Sequence, residues 1–208
     1  MNLNKGLFIT FDGPNGVGKT TLLESVSYIL KLKKMDFVLT KEPTNTELGK
    51  FLKNYEEAYR GYSLACIAAA DRYYHIEKII APALNERKLI LCDRYVDSSL
   101  VLQRIDNVDM DFIWAINKNV IIPDLSIIIT ASPQTLTDRL NSRSTLSVFE
   151  QDDNARTKEV EYYDYAGKFL IEHGFNVFII QNEFTSVEEN SEIIATKILK
   201  LIDQFRSG

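Results

Sequence analysis

Short apolar runs alternate along the chain with longer stretches in which apolar residues recur at helical spacing. The short runs end in charged or turn-forming residues, as buried strands do. They are GLFITFDG (6–13), DFVLTKEP (36–43), KLILCDRY (88–95), PDLSIIITASP (123–133) and FNVFII (175–180). Helical spacing is found at 19–33, 60–84, 111–120, 133–143, 155–174 and 187–206. Strands separated by helices predict an α/β fold with a five-stranded parallel sheet flanked by helices.

The length and the absence of a linker predict one domain spanning residues 1–208. Pro133 suits the first turn of a helix and Gly174 suits a helix end. The stretch STLSVFEQDDN (144–154) has no clear period and reads as a mobile segment. We therefore expect a short lid over approximately residues 141–155.

Charge and composition narrow the class of partner. The chain is 45% hydrophobic and 25% charged, with a formal net charge of −5, so it has no general basic field for nucleic acid. No apolar run reaches the length of a membrane span, and the N-terminal run is too short for a signal peptide. Cys66 and Cys92 lie in apolar contexts, which favours reduced, buried thiols over a disulfide. We expect a cytoplasmic protein without a nucleic-acid or membrane partner.

Residues 13–20, GPNGVGKT, match the phosphate-binding pattern G-x-x-x-x-G-K-[ST] between a predicted strand and a predicted helix. Glycines let several backbone N–H groups point at one anion, and the helix adds its positive dipole end. A tight glycine turn without a ligand is the structural alternative. The pattern predicts ATP as a ligand, bound by Gly13, Asn15, Gly16, Val17, Gly18, Lys19, Thr20, Thr21 and Arg139.

Charged residues at several strand ends suggest a second ligand. The segment NKNV (117–120) has Val120 where a GTPase requires an aspartate, which argues against a GTPase. A carboxylate at Asp93 can hold a water of Mg²⁺, and Arg94 can bind two oxygens of an acceptor phosphate. A strand-end ion pair is the structural alternative. These charges suit a small-molecule phosphate acceptor lying across the edge of the sheet.

Three other arginines are candidates for substrate or transition-state contacts. Arg72 follows a run of small residues in a helix and could donate to a base carbonyl, or form an ordinary surface salt bridge. Arg139 and Arg143 share a helix face that leads into the predicted lid, where an arginine can neutralise a transferring phosphoryl group. A solvated helix face is the alternative. The predicted catalytic residues are Lys19, Asp93, Arg94 and Arg143, and the predicted metal ligands are Thr20 and Asp93.

Several other conspicuous side chains have simple structural interpretations. His75 and His173 have no partners at metal-ligand spacing. Trp114 and the tyrosines of EYYDY (161–165) are most simply packing residues.

The sequence resembles thymidylate kinases over nearly its whole length. The segments that carry the resemblance are FDGPNGVGKTT, TKEP, AAADR, IAPAL, DRYVDSSLVLQ, IPDLSIIITASPQTLTDR and the FE before the long late helix. The resemblance implies a P-loop NTPase-type fold with a lid, transfer of the ATP γ-phosphate to dTMP, Mg²⁺ as cofactor, and a homodimer.

The family pattern also implies individual roles for the acceptor side. The implied substrate-binding residues are Asp12 near the sugar 3′-hydroxyl, Glu42 near the acceptor phosphate and metal, Ala68 at the base-stacking position, Arg72 on thymine O4, Arg94 on the acceptor phosphate, and Ser99 and Gln103 in the base pocket. The lid supplies Arg143. Residues 181–183 fall where the family has a loop on the adenine side.

The departures from the family concentrate in the base pocket. Ala68 replaces a phenylalanine that stacks on thymine, and Leu102 replaces a tyrosine that crowds a 2′-hydroxyl. The leading hypothesis is phosphorylation of a nucleoside monophosphate, with dTMP favoured. Two alternatives remain open: a deoxynucleoside kinase that uses Glu42 as base, and a kinase-like nucleotide-binding regulatory protein.

Overall fold

The computed structural model describes residues 5–56, 58–141 and 153–207, without the side chains of 153–155 and 206–207. In this part of the chain, five parallel strands form one sheet in the order β2-β3-β1-β4-β5. The predicted parallel sheet is therefore confirmed. The strands are β1 (Leu7–Asp12), β2 (Phe37–Lys41), β3 (Leu89–Asp93), β4 (Leu125–Thr130) and β5 (Val177–Gln181).

Helices connect the strands. They are α1 (Lys19–Leu32), α2 (Glu47–Tyr55), α3 (Tyr62–His75), α4 (Ala81–Asn85), α5 (Val96–Ile105), α6 (Met110–Asn117), α7 (Pro133–Asn141), α8 (Asp153–Glu172) and α9 (Val187–Ser207). As predicted, α7 begins at Pro133, and Gly174 follows the end of α8 in a left-handed conformation.

The predicted helix over 60–84 differs in detail from the structure. It consists of α3, a π-helical turn at Ile76–Ile80, and α4. Pro82 lacks the N–H group that would continue the α-helical hydrogen bonds, and the wider turn before it accommodates that loss.

Two helices were absent from the sequence prediction. The nine-residue helix α2 is capped by the Thr46 hydroxyl, which accepts from Gly49 N. Several polar side chains of α5, including Asp97, Ser98 and Ser99, are buried, so the sequence does not show separate apolar and polar helix faces.

Both faces of the sheet are covered. One core cluster joins Leu7, Ile9 and Phe11 of β1 to α1 and α9, and the other joins Phe8 to α3, α5 and α8. Because parallel strands are buried on both sides, they read as continuous apolar runs in the sequence.

Some sequence expectations can be compared directly with the structure. Cys66 and Cys92 are free, but Cys66 is exposed, so the expectation that both are buried was wrong for it. Among the described residues, no helix is both long enough and apolar enough to span a membrane. Most of the predicted lid, including Arg143, lies outside the described residues and stays a prediction.

The carboxyl ends of the three strands β2, β3 and β1 meet at one edge of the sheet. Lys41 pairs in register with Asp93, and Asp93 pairs with Phe11, next to Asp12. Ligands of parallel sheets bind at this edge. The fold therefore brings the predicted donor and acceptor residues to one place.

Candidate active site

The loop between β1 and α1 has the backbone shape of a phosphate-binding loop. Gly13 has φ +144° and Gly18 has φ +94°, and side chains disfavour both conformations. A Cβ atom on Gly13 would lie 2.1 Å from the carbonyl oxygen of Ile129 in β4. Lys19 Nζ donates to the carbonyl oxygens of residues 13 and 14, at 2.7 and 2.8 Å. The loop therefore curls back on its own lysine.

Lys19 lies in a strongly perturbed environment. Burial and the neighbouring Arg94 lower its pKa to about 7, although the carboxylates of Asp12, Glu159 and Asp93 oppose the change. An anion next to this amine would favour its charged form. Lys19 therefore holds its proton most firmly when a polyanion is bound.

Arg94 approaches the phosphate-binding loop from the end of β3. Its left-handed backbone (φ +70°) is held by a hydrogen bond from its N–H to Phe11 O at 2.8 Å. Nη1 of the guanidinium donates to Ser98 Oγ at 3.1 Å, and Nη2 donates to Asn15 Oδ1 at 2.6 Å. Arg94 therefore lies directly against the phosphate-binding loop.

Asp12 is the last residue of β1 and directly precedes the phosphate-binding loop. Its carboxylate is fully buried and accepts four hydrogen bonds, from Gly13 N (3.2 Å), Tyr95 N (2.8 Å), Ser98 Oγ (2.6 Å) and Tyr163 Oη (2.7 Å). A sugar hydroxyl would have to displace one of these donors. The contact between Asp12 and the 3′-hydroxyl stays a prediction, and its observed contacts link β1, α5 and α8.

Sequence reasoning missed two polar side chains of α8 that contact the candidate site. Tyr163 was assigned to packing, but its hydroxyl donates to Asp12, and burial followed by that carboxylate raises its pKa well above the usual value. Glu159 is 2% exposed, and its Oε1 accepts from Asn15 N at 3.0 Å. Their spacing of four residues places them on one helix face, which was the only available signal.

The two predicted metal ligands lie side by side. Thr20 Oγ1 donates to Asp93 Oδ2 at 3.2 Å. Asp93 Oδ1 is buried and has no hydrogen-bond partner among the described residues. Because buried carboxylate oxygens normally have a partner, the pair fits a hard cation or one of its water ligands.

Most of the predicted substrate residues line one cavity of about 390 Å³, including its open mouth. The buried Gln103 Oε1 in this lining has no partner among the described residues. The predicted residues in the lining are Glu42, Ala68, Arg72, Arg94, Ser99 and Gln103.

Arg72 is a buried, oriented donor in the cavity wall, not a surface side chain. It is 3% exposed and donates to Glu42 Oε2 (2.8 Å), Asn117 Oδ1 (2.6 Å) and Tyr95 O (3.0 Å). His75 Nδ1 lies 3.1 Å from the other oxygen of Glu42. The structural role inferred for His75 therefore includes holding a carboxylate in the cavity wall.

Residues from α7, α9 and the segment after β5 support the carbonyl oxygen of Val17 in the phosphate-binding loop. The carbonyl oxygen of Val17 accepts from Asn182 Nδ2 at 2.8 Å and from Arg139 Nη1 at 3.2 Å. Asn190 Nδ2 in turn donates to Asn182 Oδ1 at 2.9 Å. Arg139 thus lies where ATP was predicted to bind, and Asn182 is a supporting residue that no sequence motif marks.

Comparison with known proteins identifies the family. A family model described as thymidylate kinase matches residues 11–194. A probable thymidylate kinase of Pyrococcus horikoshii is 32% identical over 200 residues, which cover 92% of this chain and 95% of the relative. One of Methanococcus aeolicus is 32% identical over 198 residues, with coverage of 92% and 95%. A thymidylate kinase of Caldicellulosiruptor saccharolyticus is 39% identical over 144 residues, with coverage of 65% and 70%. The chain belongs to the thymidylate kinase family.

Proposed function

We propose that this protein transfers the γ-phosphoryl group of ATP to dTMP, giving ADP and dTDP. The observation that carries the proposal is that two basic side chains, Lys19 and Arg94, lie beside the phosphate-binding loop. Lys19 lies in the phosphate-binding loop, and Arg94 is joined to that loop through Asn15 at 2.6 Å. A donor and an acceptor phosphate can then be held face to face.

Catalysis at this site depends on alignment and charge neutralisation. Lys19 binds the β- and γ-phosphates, and Arg94 binds the phosphate of the acceptor. A nucleoside monophosphate has a second phosphate pKa of about 6, so near neutral pH its oxygen attacks without a general base. Arg143, outside the described residues, is proposed to neutralise charge on the transferring group.

Mg²⁺ is the proposed cofactor. Thr20 and Asp93 would hold it, directly or through water, and the unpartnered Asp93 Oδ1 supports this assignment. When bound, the ion neutralises charge on the β- and γ-phosphate oxygens.

The cavity beyond Arg94 is the proposed site of the thymine base. Arg72 supplies a donor for the base carbonyl, and the buried Gln103 Oε1 offers an acceptor to a ring N–H. Ala68 and Leu102 give this wall less aromatic surface than a stacking platform would have. We therefore expect room for pyrimidines other than thymine.

The geometry disfavours a nucleoside kinase. In that reaction Glu42 would have to take a proton from a sugar hydroxyl. Both of its oxygens are already engaged, by Arg72 and by His75. A regulatory protein without activity is also disfavoured, because Lys19 and Arg94 both lie at the phosphate-binding loop and the matched family is one of kinases.

We further propose a cytoplasmic homodimer. Membership of the thymidylate kinase family supports this proposal. Sedimentation of the purified protein tests the assembly, and a monomer at all concentrations would contradict it.

A panel of nucleosides and nucleoside monophosphates with ATP and Mg²⁺ tests the function by ADP release. We expect dTMP among the best acceptors and no turnover of thymidine. Arg94→Ala should lower kcat/KM for dTMP by about 10²–10³-fold, with ATP binding largely retained. The exposed Arg87→Ala is the matched control. Full turnover by Arg94→Ala would place the acceptor phosphate elsewhere.

A further inference from the structure

A buried carboxylate of α8 contacts the backbone of the phosphate-binding loop. Glu159 is 2% exposed, and its Oε1 accepts the N–H of Asn15 at 3.0 Å. Burying a carboxylate is unfavourable unless polar partners satisfy it. The contact fixes the peptide of Asn15 on the side facing α8.

The side chain of Asn15 continues this chain of contacts to Arg94. Its Oδ1 accepts from Arg94 Nη2 at 2.6 Å, while Ser98 Oγ accepts from Nη1 at 3.1 Å. Ser98 is itself anchored, because its hydroxyl donates to Asp12 at 2.6 Å. The guanidinium is therefore held by two neutral oxygens, one of Asn15 and one of Ser98. Each of these residues is anchored by a buried carboxylate: Asn15 by Glu159, and Ser98 by Asp12.

We propose that Glu159 is a positioning residue for phosphoryl transfer: it holds the Asn15 peptide, and thereby places the Asn15 side chain that orients Arg94 toward the acceptor phosphate. The inference rests on the proposed function, because it assigns the acceptor phosphate to Arg94. The proposed effect of Glu159 on the acceptor half runs through these hydrogen bonds, and its charge near Lys19 is a separate contribution.

A double-mutant cycle tests this coupling. Asn15→Ala keeps the backbone N–H that bonds Glu159 but removes the oxygen that bonds Arg94. We expect Glu159→Ala to raise the KM for dTMP about tenfold and to change the KM for ATP by less than about threefold. In the Asn15→Ala background the same substitution should change the KM for dTMP by less than about twofold.

Two further variants separate geometry from charge and from folding. Glu159→Gln retains an oxygen that can accept from Asn15 N, so its KM for dTMP should rise by less than about threefold. A loss as large as that of Glu159→Ala would assign the effect to the charge and overturn the proposal. If Glu159→Ala does not fold, the KM for dTMP of Glu159→Gln is the deciding measurement, and a rise of more than about threefold overturns the proposal. Glu161→Ala, exposed on the same helix, is the matched control.

The experiments distinguish failure of the Glu159 proposal from failure of the proposed kinase function. Equal effects of Glu159→Ala in both backgrounds, in an enzyme that phosphorylates a monophosphate of the panel, overturn the inference alone. If dTMP is not the best acceptor, the cycle is run with the monophosphate that is. Absence of turnover with every monophosphate overturns the proposed function and the inference together.

Discussion

Replacing Asp97 with asparagine should make the protein more stable above neutral pH. The side chain of Asp97 on α5 is fully buried. Its Oδ1 accepts from Ser126 Oγ at 2.7 Å, and its Oδ2 has no partner among the described residues. Burial and then the charge of Asp12 raise its pKa from 3.8 to about 7, against the effects of the Ser126 hydrogen bond and of Arg72.

The sign and size of the effect follow from the two pKa values. Between pH 3.8 and about 7, the folded protein keeps a proton on Asp97 that the unfolded chain has lost. The free energy of unfolding therefore falls as pH rises through this window. At about 1.4 kcal/mol per pH unit, the full loss is about 4 kcal/mol, of which about 2–3 kcal/mol falls between about pH 5 and 8.

Asparagine keeps an acceptor for Ser126 and has no charge to lose. The difference in unfolding free energy between Asp97→Asn and wild type should therefore grow by about 2–3 kcal/mol from about pH 5 to 8. Urea unfolding curves at several pH values measure it. Asp111→Asn, exposed on α6, is the control and should show no such growth. Parallel pH dependence of Asp97→Asn and wild type, within about 0.5 kcal/mol, would show that Asp97 ionises in the fold without cost.

Three further substitutions test individual contacts. Tyr163→Phe removes a donor from the Asp12 carboxylate and should lower the unfolding free energy by about 1–2 kcal/mol. Tyr165→Phe, exposed on the same helix, should cost less than about 0.5 kcal/mol, so equal losses would contradict the assignment. Asn182→Ala removes the hydrogen bond to Val17 O in the phosphate-binding loop. In initial-rate kinetics it should raise the KM for ATP about fivefold and leave the KM for dTMP unchanged. An effect on the KM for dTMP alone would contradict this role of Asn182. Ala68→Phe should tighten dTMP binding by about 1–3 kcal/mol through stacking, measured by calorimetry, and weaker binding would show that the cavity has no room for the ring.

Features that are determined by consecutive residues could be predicted from the sequence. The phosphate-binding loop occupies residues 13–20, and its glycines, lysine and flanking elements each have a local physical reason. The strands were equally clear, because burial on both faces removes polar residues from them. Arg72 and Arg94 were identified as candidates, and both line the same cavity.

Features that depend on the docking of distant segments could not be predicted in this way. Glu159 and Tyr163 become polar site residues only because α8 packs beside α5 and the phosphate-binding loop. Asn182 lies 165 positions from the carbonyl that it supports. Nothing in the local pattern of these residues distinguishes them from ordinary surface or packing side chains.

The strands that carry the site differ in how many neighbouring strands they pair with. ATP's loop follows β1, which has neighbours on both sides, whereas Glu42 follows β2, the outermost strand. Insertions or substitutions along that outer strand disturb a single strand pairing, while equivalent changes at β1 disturb two. Changes after β2 that reshape the Glu42 side of the cavity therefore carry a lower structural cost than changes at the phosphate-binding loop.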